Sequence, residues 1–128
     1  MKKFILTTLI VFFLLCIMDF LVNAVLLAGA YHQISSILRP VGQMGLFLVY
    51  LANIIHSIVL VSLYNMFSKK GVAMGLKLGL LYGLGYGFGL GLGIYAMMPV
   101  TVFITTAWII SSIVECTIVG SVIGSMNK

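Results

Sequence analysis

The sequence predicts an all-α membrane protein: a four-transmembrane-helix bundle with a glycine-zipper third helix. Three observations predict it. Hydrophobic residues fill 62% of the 128 positions and charged residues only 7%, against roughly a quarter charged in an ordinary soluble domain. The apolar residues fall into four runs, each long enough for a bilayer core of ~30 Å, which needs ~20 helical residues. Glycine recurs at every fourth position through the third run. So few charges cannot solvate the surface of a folded globule, which excludes a soluble monomer. The hydrophobicity excludes disorder. The runs leave no room for a soluble domain, and residues 1–128 read as a single transmembrane domain.

The first span runs over about residues 4–30. Its start, Met1-Lys2-Lys3-Phe4, imitates a secretory signal peptide. The apolar run is of spanning length, however, and the small-residue site Val22-Asn23-Ala24 is followed by more apolar sequence, so no cleavage is expected. A lipoprotein reading of Leu14-Leu15-Cys16 fails because no small residue precedes the cysteine. The connection Tyr31–Gln43 contains Arg39-Pro40, where proline restricts its predecessor and ends helix. The second span covers about 44–67, the third about 72–96 after Ser68–Gly71, and the fourth about 101–125 after Met97–Val100. Pro99 stands just ahead of the last helix, a favoured proline position.

Basic residues near span ends set orientation. Lys2, Lys3, Lys69, Lys70 and Lys128 fall on one side of a four-span fold, and Lys77 can snorkel to that side. Arg39 alone falls on the other. Both termini are therefore expected in the cytoplasm. The net charge of +5 reads as topology and headgroup contact. No basic patch with interleaved aromatics is present, so nucleic acid is not an expected partner.

The third span carries the densest pattern. Gly71, Gly75, Gly79, Gly83, Gly87 and Gly91 form one series and Gly85, Gly89 and Gly93 a second. At ~100° per residue, a two-residue step turns about 200°, so the two series lie on nearly opposite faces. Small residues at this spacing let backbones approach closely in lipid. The fourth span has a matching ridge of Ser112, Cys116, Gly120 and Gly124. The expected packing sets this ridge against one glycine face. The other face is expected against the first or second span, or another chain. Close packing without further purpose accounts for the whole pattern. Period-two alternation over 83–93 resembles a strand, but a lone strand in lipid leaves its backbone unpaired. Gly91-Leu-Gly93-Ile-Tyr-Ala96 matches a dinucleotide fingerprint by chance, since it opens no helix after a strand.

Asp19 and Glu115 are the only acids, and both lie inside spans, as does His56. Counting a rise of ~1.5 Å per residue from the outer ends places Asp19 about 15 Å deep, His56 about 18 Å and Glu115 about 21 Å. Asn23, Asn53 and Ser112 share helix faces with these groups, and Tyr82 and Tyr86 reach the same depth. Ionisable groups so deep are costly and usually face a bundle interior or a cavity. The plain reading is a hydrogen-bonded interior cluster that fixes helix register. The functional one is a proton or ion relay. A metal or haem site has no ligand-spacing motif behind it, and His32 lies too far from His56 in depth for a bis-histidine haem. Cys16 and Cys116 form no CxxC or zinc pattern. No nucleophile elbow or Ser/His/Asp order is visible, so no catalytic residue, cofactor or metal is expected. Trp108, Tyr31, Tyr64 and Tyr95 read as interfacial anchors or packing, and the eight methionines as gap-fillers.

The combination of Met18-Asp19-Phe20 with Val25-Leu26-Leu27, Tyr31, Arg39-Pro40, the glycine-rich third span, Trp108 and Gly120-x-x-x-Gly124 resembles small four-span bacterial membrane proteins known as a domain of unknown function. The resemblance spans most of the chain. It implies a four-helix fold in a bacterial inner membrane, no activity, and Asp19 and Arg39 as the first positions to probe. Two functions are then expected to compete. One is a non-enzymatic accessory subunit of a larger membrane complex. The other is a homo-oligomeric transporter or channel using Asp19, His56 and Glu115.

Overall fold

The computed structural model describes residues 1–128, apart from the side chain of Val41. Among the described residues there is helix and no strand. The long helices are α1 (Lys2–Phe20), α3 (Leu46–Met66), α4 (Val72–Met97) and α5 (Val102–Met126), with the short α2 (Ala28–Tyr31) in the first connection. Four helical stretches are long and apolar enough to cross a membrane, the first reaching Leu26. This is the architecture of a multi-pass helical membrane protein.

A helix reading of the first span as uniform to Ala30 misses a change of pitch. The backbone is α-helical to Phe20 and π-helical over Leu21–Leu26. It then passes through Leu27 (φ −98°, ψ −2°) into α2 and a 3₁₀ turn at His32–Ile34. A π-turn shifts the hydrogen-bond register and leaves a carbonyl short of a donor. At this change of register Asn23 Nδ2 donates to the Asp19 carbonyl (3.0 Å).

The closest helix pair is α4 with α5. Lipid tails are as apolar as leucine, so no hydrophobic force drives helices together in a bilayer, and dispersion contact has to do so. Glycine permits that contact. Gly75, Gly79, Gly83, Gly87 and Gly91 are buried along one side of α4. A Cβ at Gly79 would stand 2.9 Å from Thr117 Cα, and one at Gly83 would stand 2.8 Å from Ile113 Cα. Gly120 and Gly124 return the fit, each meeting α4 backbone where a side chain would go. The second glycine face behaves otherwise. A Cβ at Gly85, Gly89 or Gly93 would meet nothing within 4 Å, so of the expected partners for this face the first and second spans are not the ones that meet it in this chain. α5 takes the opposite face of α4, while α1 packs chiefly on α3 and α5.

The bundle is knotted at one end. Gly71 N–H donates to Tyr64 Oη (2.6 Å), and Tyr64 Oη donates to the Asn127 carbonyl (3.2 Å). Asn127 Nδ2 reaches Thr7 Oγ1 (3.3 Å). Lys70 Nζ donates to the terminal carbonyls of α3 at Tyr64 (3.1 Å) and Asn65 (3.0 Å) and lies over the Tyr64 ring. Gly71 makes the turn with φ +113°, a conformation that L side chains avoid. Above this knot sits a close-packed core of Val11, Leu15, Leu60, Val61, Tyr64, Leu78, Val119 and Ile123. Both chain termini and the lysine-bearing 68–71 turn therefore meet at one end, and Arg39 lies at the other.

Candidate functional site

The other half of the bundle is looser and holds the polar groups. Asp19, on the last turn of α1, accepts a hydrogen bond at Oδ2 from Asn53 Nδ2 of α3 (2.7 Å). Asn53 is buried, and the same amide nitrogen lies 3.6 Å from Cys16 Sγ. One helical turn on, Ser57 returns its hydroxyl to the Asn53 carbonyl (2.7 Å). The Asp19–Asn53 bond thus ties α1 to α3, with one carboxylate oxygen satisfied and fixed.

A second chain of bonds ties the stretch that follows α1 to α5. Trp108 Nε1 donates to Tyr31 Oη (2.8 Å), and Tyr31 Oη donates to Asn23 Oδ1. Tyr31 and Trp108 are thus members of the polar network, beyond the anchoring role their positions in sequence suggested. Sequence alone could not pair them, because they are 77 residues apart. Burial pushes the Tyr31 phenol above its usual range; the Trp108 hydrogen bond opposes this and the Asp19 charge adds to it. The hydroxyl therefore stays protonated at neutral pH and keeps both its donor and its acceptor role.

These two ties frame a cleft of about 260 Å³ between α1, α4 and α5. Asp19, Asn23, Ser112 and Glu115 all line it, with Tyr86 and Trp108 on its walls. Ser112 spends its hydroxyl on the Trp108 carbonyl (2.8 Å). Glu115 is half-buried. Its carboxyl makes no hydrogen bond among the described residues, so it is left to the cleft. No ion pair forms among the described residues either: the cations are at the ends and the acids in the middle.

His56 does not join this group. Its ring packs against Tyr82 (centroids 5.2 Å) and Tyr86 (5.1 Å), with Cys116 Sγ 4.0 Å from Nε2. Direction around the helix was not legible in the sequence: His56 is on the α4 side of α3, one turn beyond Asn53. Tyr86 bridges the two places, since it touches His56 and also lines the cleft. No group of three or more His, Cys, Asp or Glu side chains gathers closely enough to hold a metal ion among the described residues.

A larger cavity, about 880 Å³, opens between the outer halves of α1 and α3 under the 31–40 connection. Its walls are mostly apolar, and Asp19, Asn23 and Asn53 line it as well. Asp19 and Asn23 therefore belong to both spaces. Compared with known protein families, curated proteins and solved structures, the chain matches none.

Proposed function

We propose that this chain is a small transporter or channel of the bacterial inner membrane, with both termini cytoplasmic, that binds a proton or a cation at Asp19 and Glu115. One observation carries the reading: the only two acids of the chain line one cleft, and neither has a cationic partner among the described residues. A carboxylate in that setting is expensive unless it takes up a proton or a counter-ion. Asn53 donates to Asp19 and orients its carboxylate. The cleft is open on its flank and a single bundle encloses little space, so the working form is a homo-oligomer. A glycine zipper along Gly75, Gly79, Gly83, Gly87 and Gly91 against Gly120 and Gly124 keeps α4 and α5 rigid as its wall. His56 serves the site through Tyr86 and does not itself face the ligand.

Dicyclohexylcarbodiimide tests the occupancy of the site, because it modifies protonated carboxyls in apolar surroundings. Labelling of Asp19 or Glu115 in reconstituted protein should fall as pH rises or as sodium or potassium is added. Labelling that ignores pH and both cations would remove the reading.

A second reading has its own support. The face of α4 bearing Gly85, Gly89 and Gly93 meets nothing in this chain, as an accessory subunit of a larger membrane complex would require. Native purification decides it: a stoichiometric foreign subunit favours the accessory role, and a homo-oligomer alone favours the transporter.

A further inference from the structure

We infer that the outer cavity between α1 and α3 binds a hydrophobic organic monocation, with Asp19 as its counter-ion. The inference rests on the reading of Asp19 as a cation site and names the kind of cation. Three features of the cavity select it. The first is size: about 880 Å³ against about 260 Å³ for the inner cleft, within the range of sites for drug-sized molecules. The second is lining. Phe20, Ala24, Leu46, Val49 and Tyr50 make the walls apolar and partly aromatic. Asn23, Tyr31, Ser35 and Asn53 add polar groups, but the apolar share of the lining is the larger. An organic cation brings its own apolar body and is content with one carboxylate and aromatic faces. The third is charge. Asp19 lines the cavity, with Oδ2 held by Asn53 and no hydrogen bond to its other oxygen among the described residues. Arg39 lines the same cavity from the outer connection, so a cation entering from outside moves away from the one positive charge toward the one negative charge.

The geometry also gives the route. Asp19 and Asn23 line both spaces, so a ligand in the outer cavity reaches the carboxylate that the inner cleft uses. Below it the Val11–Leu15–Leu60–Val61 core and the Tyr64 knot close the other end. Arg39 and the 31–40 connection line the end of the cavity away from that core.

Two probes of one shape and opposite charge test this: tetraphenylphosphonium and tetraphenylborate, bound to full-length protein in lipid nanodiscs against empty discs. Saturable phosphonium binding is expected, weakened about tenfold in Asp19→Asn and largely kept in Asp19→Glu. Ala24→Trp, which fills the cavity, should abolish it, while Ile110→Trp on an outward face of α5 should not. Arg39→Ala should strengthen it about twofold by removing a like charge. Phosphonium binding unaffected by Asp19→Asn and Ala24→Trp overturns the inference. Preferential binding of the borate, lost in Arg39→Ala, overturns it in favour of an anionic amphiphile. If the phosphonium fails to bind while carbodiimide labelling stays cation-sensitive, the outer cavity falls and the inner cleft stands. If both fail, the cation reading itself falls.

Discussion

Asn53 is the residue on which the site turns. It is buried, and its amide is the only donor to the Asp19 carboxylate among the described residues. Asn53→Leu keeps size and removes the donor. Hydrogen bonds between membrane helices are worth about 0.6–2 kcal/mol, so the variant should lose that much stability toward denaturant in micelles and should also lose cation-sensitive labelling of Asp19. A stable variant with unchanged labelling would demote the bond to packing. Tyr31 gives a pH-dependent counterpart. Its phenol is held above the usual value of 10.0, so folding favours the neutral form. That contribution is complete below the unfolded value and fades as pH rises through the folded one. Alkaline destabilisation should accordingly be smaller in Tyr31→Phe than in the parent, measured by thermal melts across the alkaline range. The sequence marked Asp19, Asn23, Asn53, Ser112 and Glu115 by polarity and depth, and the structure sets all five around one place. It could not mark Tyr31, because an aromatic residue near a span end has an ordinary interfacial use. It also grouped His56 with the acids, since depth says nothing of direction around a helix.

At the scale of the element, α4 presents two faces of like composition and unlike surroundings. The Gly79 face meets the α5 backbone, and the Gly89 face meets open space. Gly79→Ala should cost about 1–3 kcal/mol through overpacking. Gly89→Ala should stay within about 1 kcal/mol of the parent, on the stabilising side, through helix propensity alone. Denaturant titration of each variant in micelles measures the pair, and equal costs would contradict the assigned facing. The four-residue period predicted that one glycine face would meet the α5 ridge, because close approach demands small residues on both helices. It could not say which second face stays bare, since composition is the same on both. The π-helical stretch at Leu21–Leu26 was likewise illegible: Leu-Val-Asn-Ala-Val-Leu contains no glycine or proline to announce a change of pitch.

At the scale of the molecule, polarity is divided lengthwise. One end is a dry core closed by Tyr64, Lys70, Gly71 and Asn127; the other holds the acids and both cavities. Topology should follow the lysines. Reporter fusions at Ile37 and Lys128 are expected on opposite sides of the membrane, with Lys128 cytoplasmic. Activity on the same side for both would undo the four-span order. The central claim, that the two midplane acids bind and pass a cation, is tested most directly by flux. Protein in sealed proteoliposomes is given a membrane potential, and uptake of protons, sodium, potassium and labelled tetraphenylphosphonium is followed for the parent and for Asp19→Asn with Glu115→Gln. The account predicts uptake of at least one of these that falls by about tenfold or more in the double variant, while the variant reconstitutes at normal yield. Uptake equal in parent and variant, or absent from both, contradicts it.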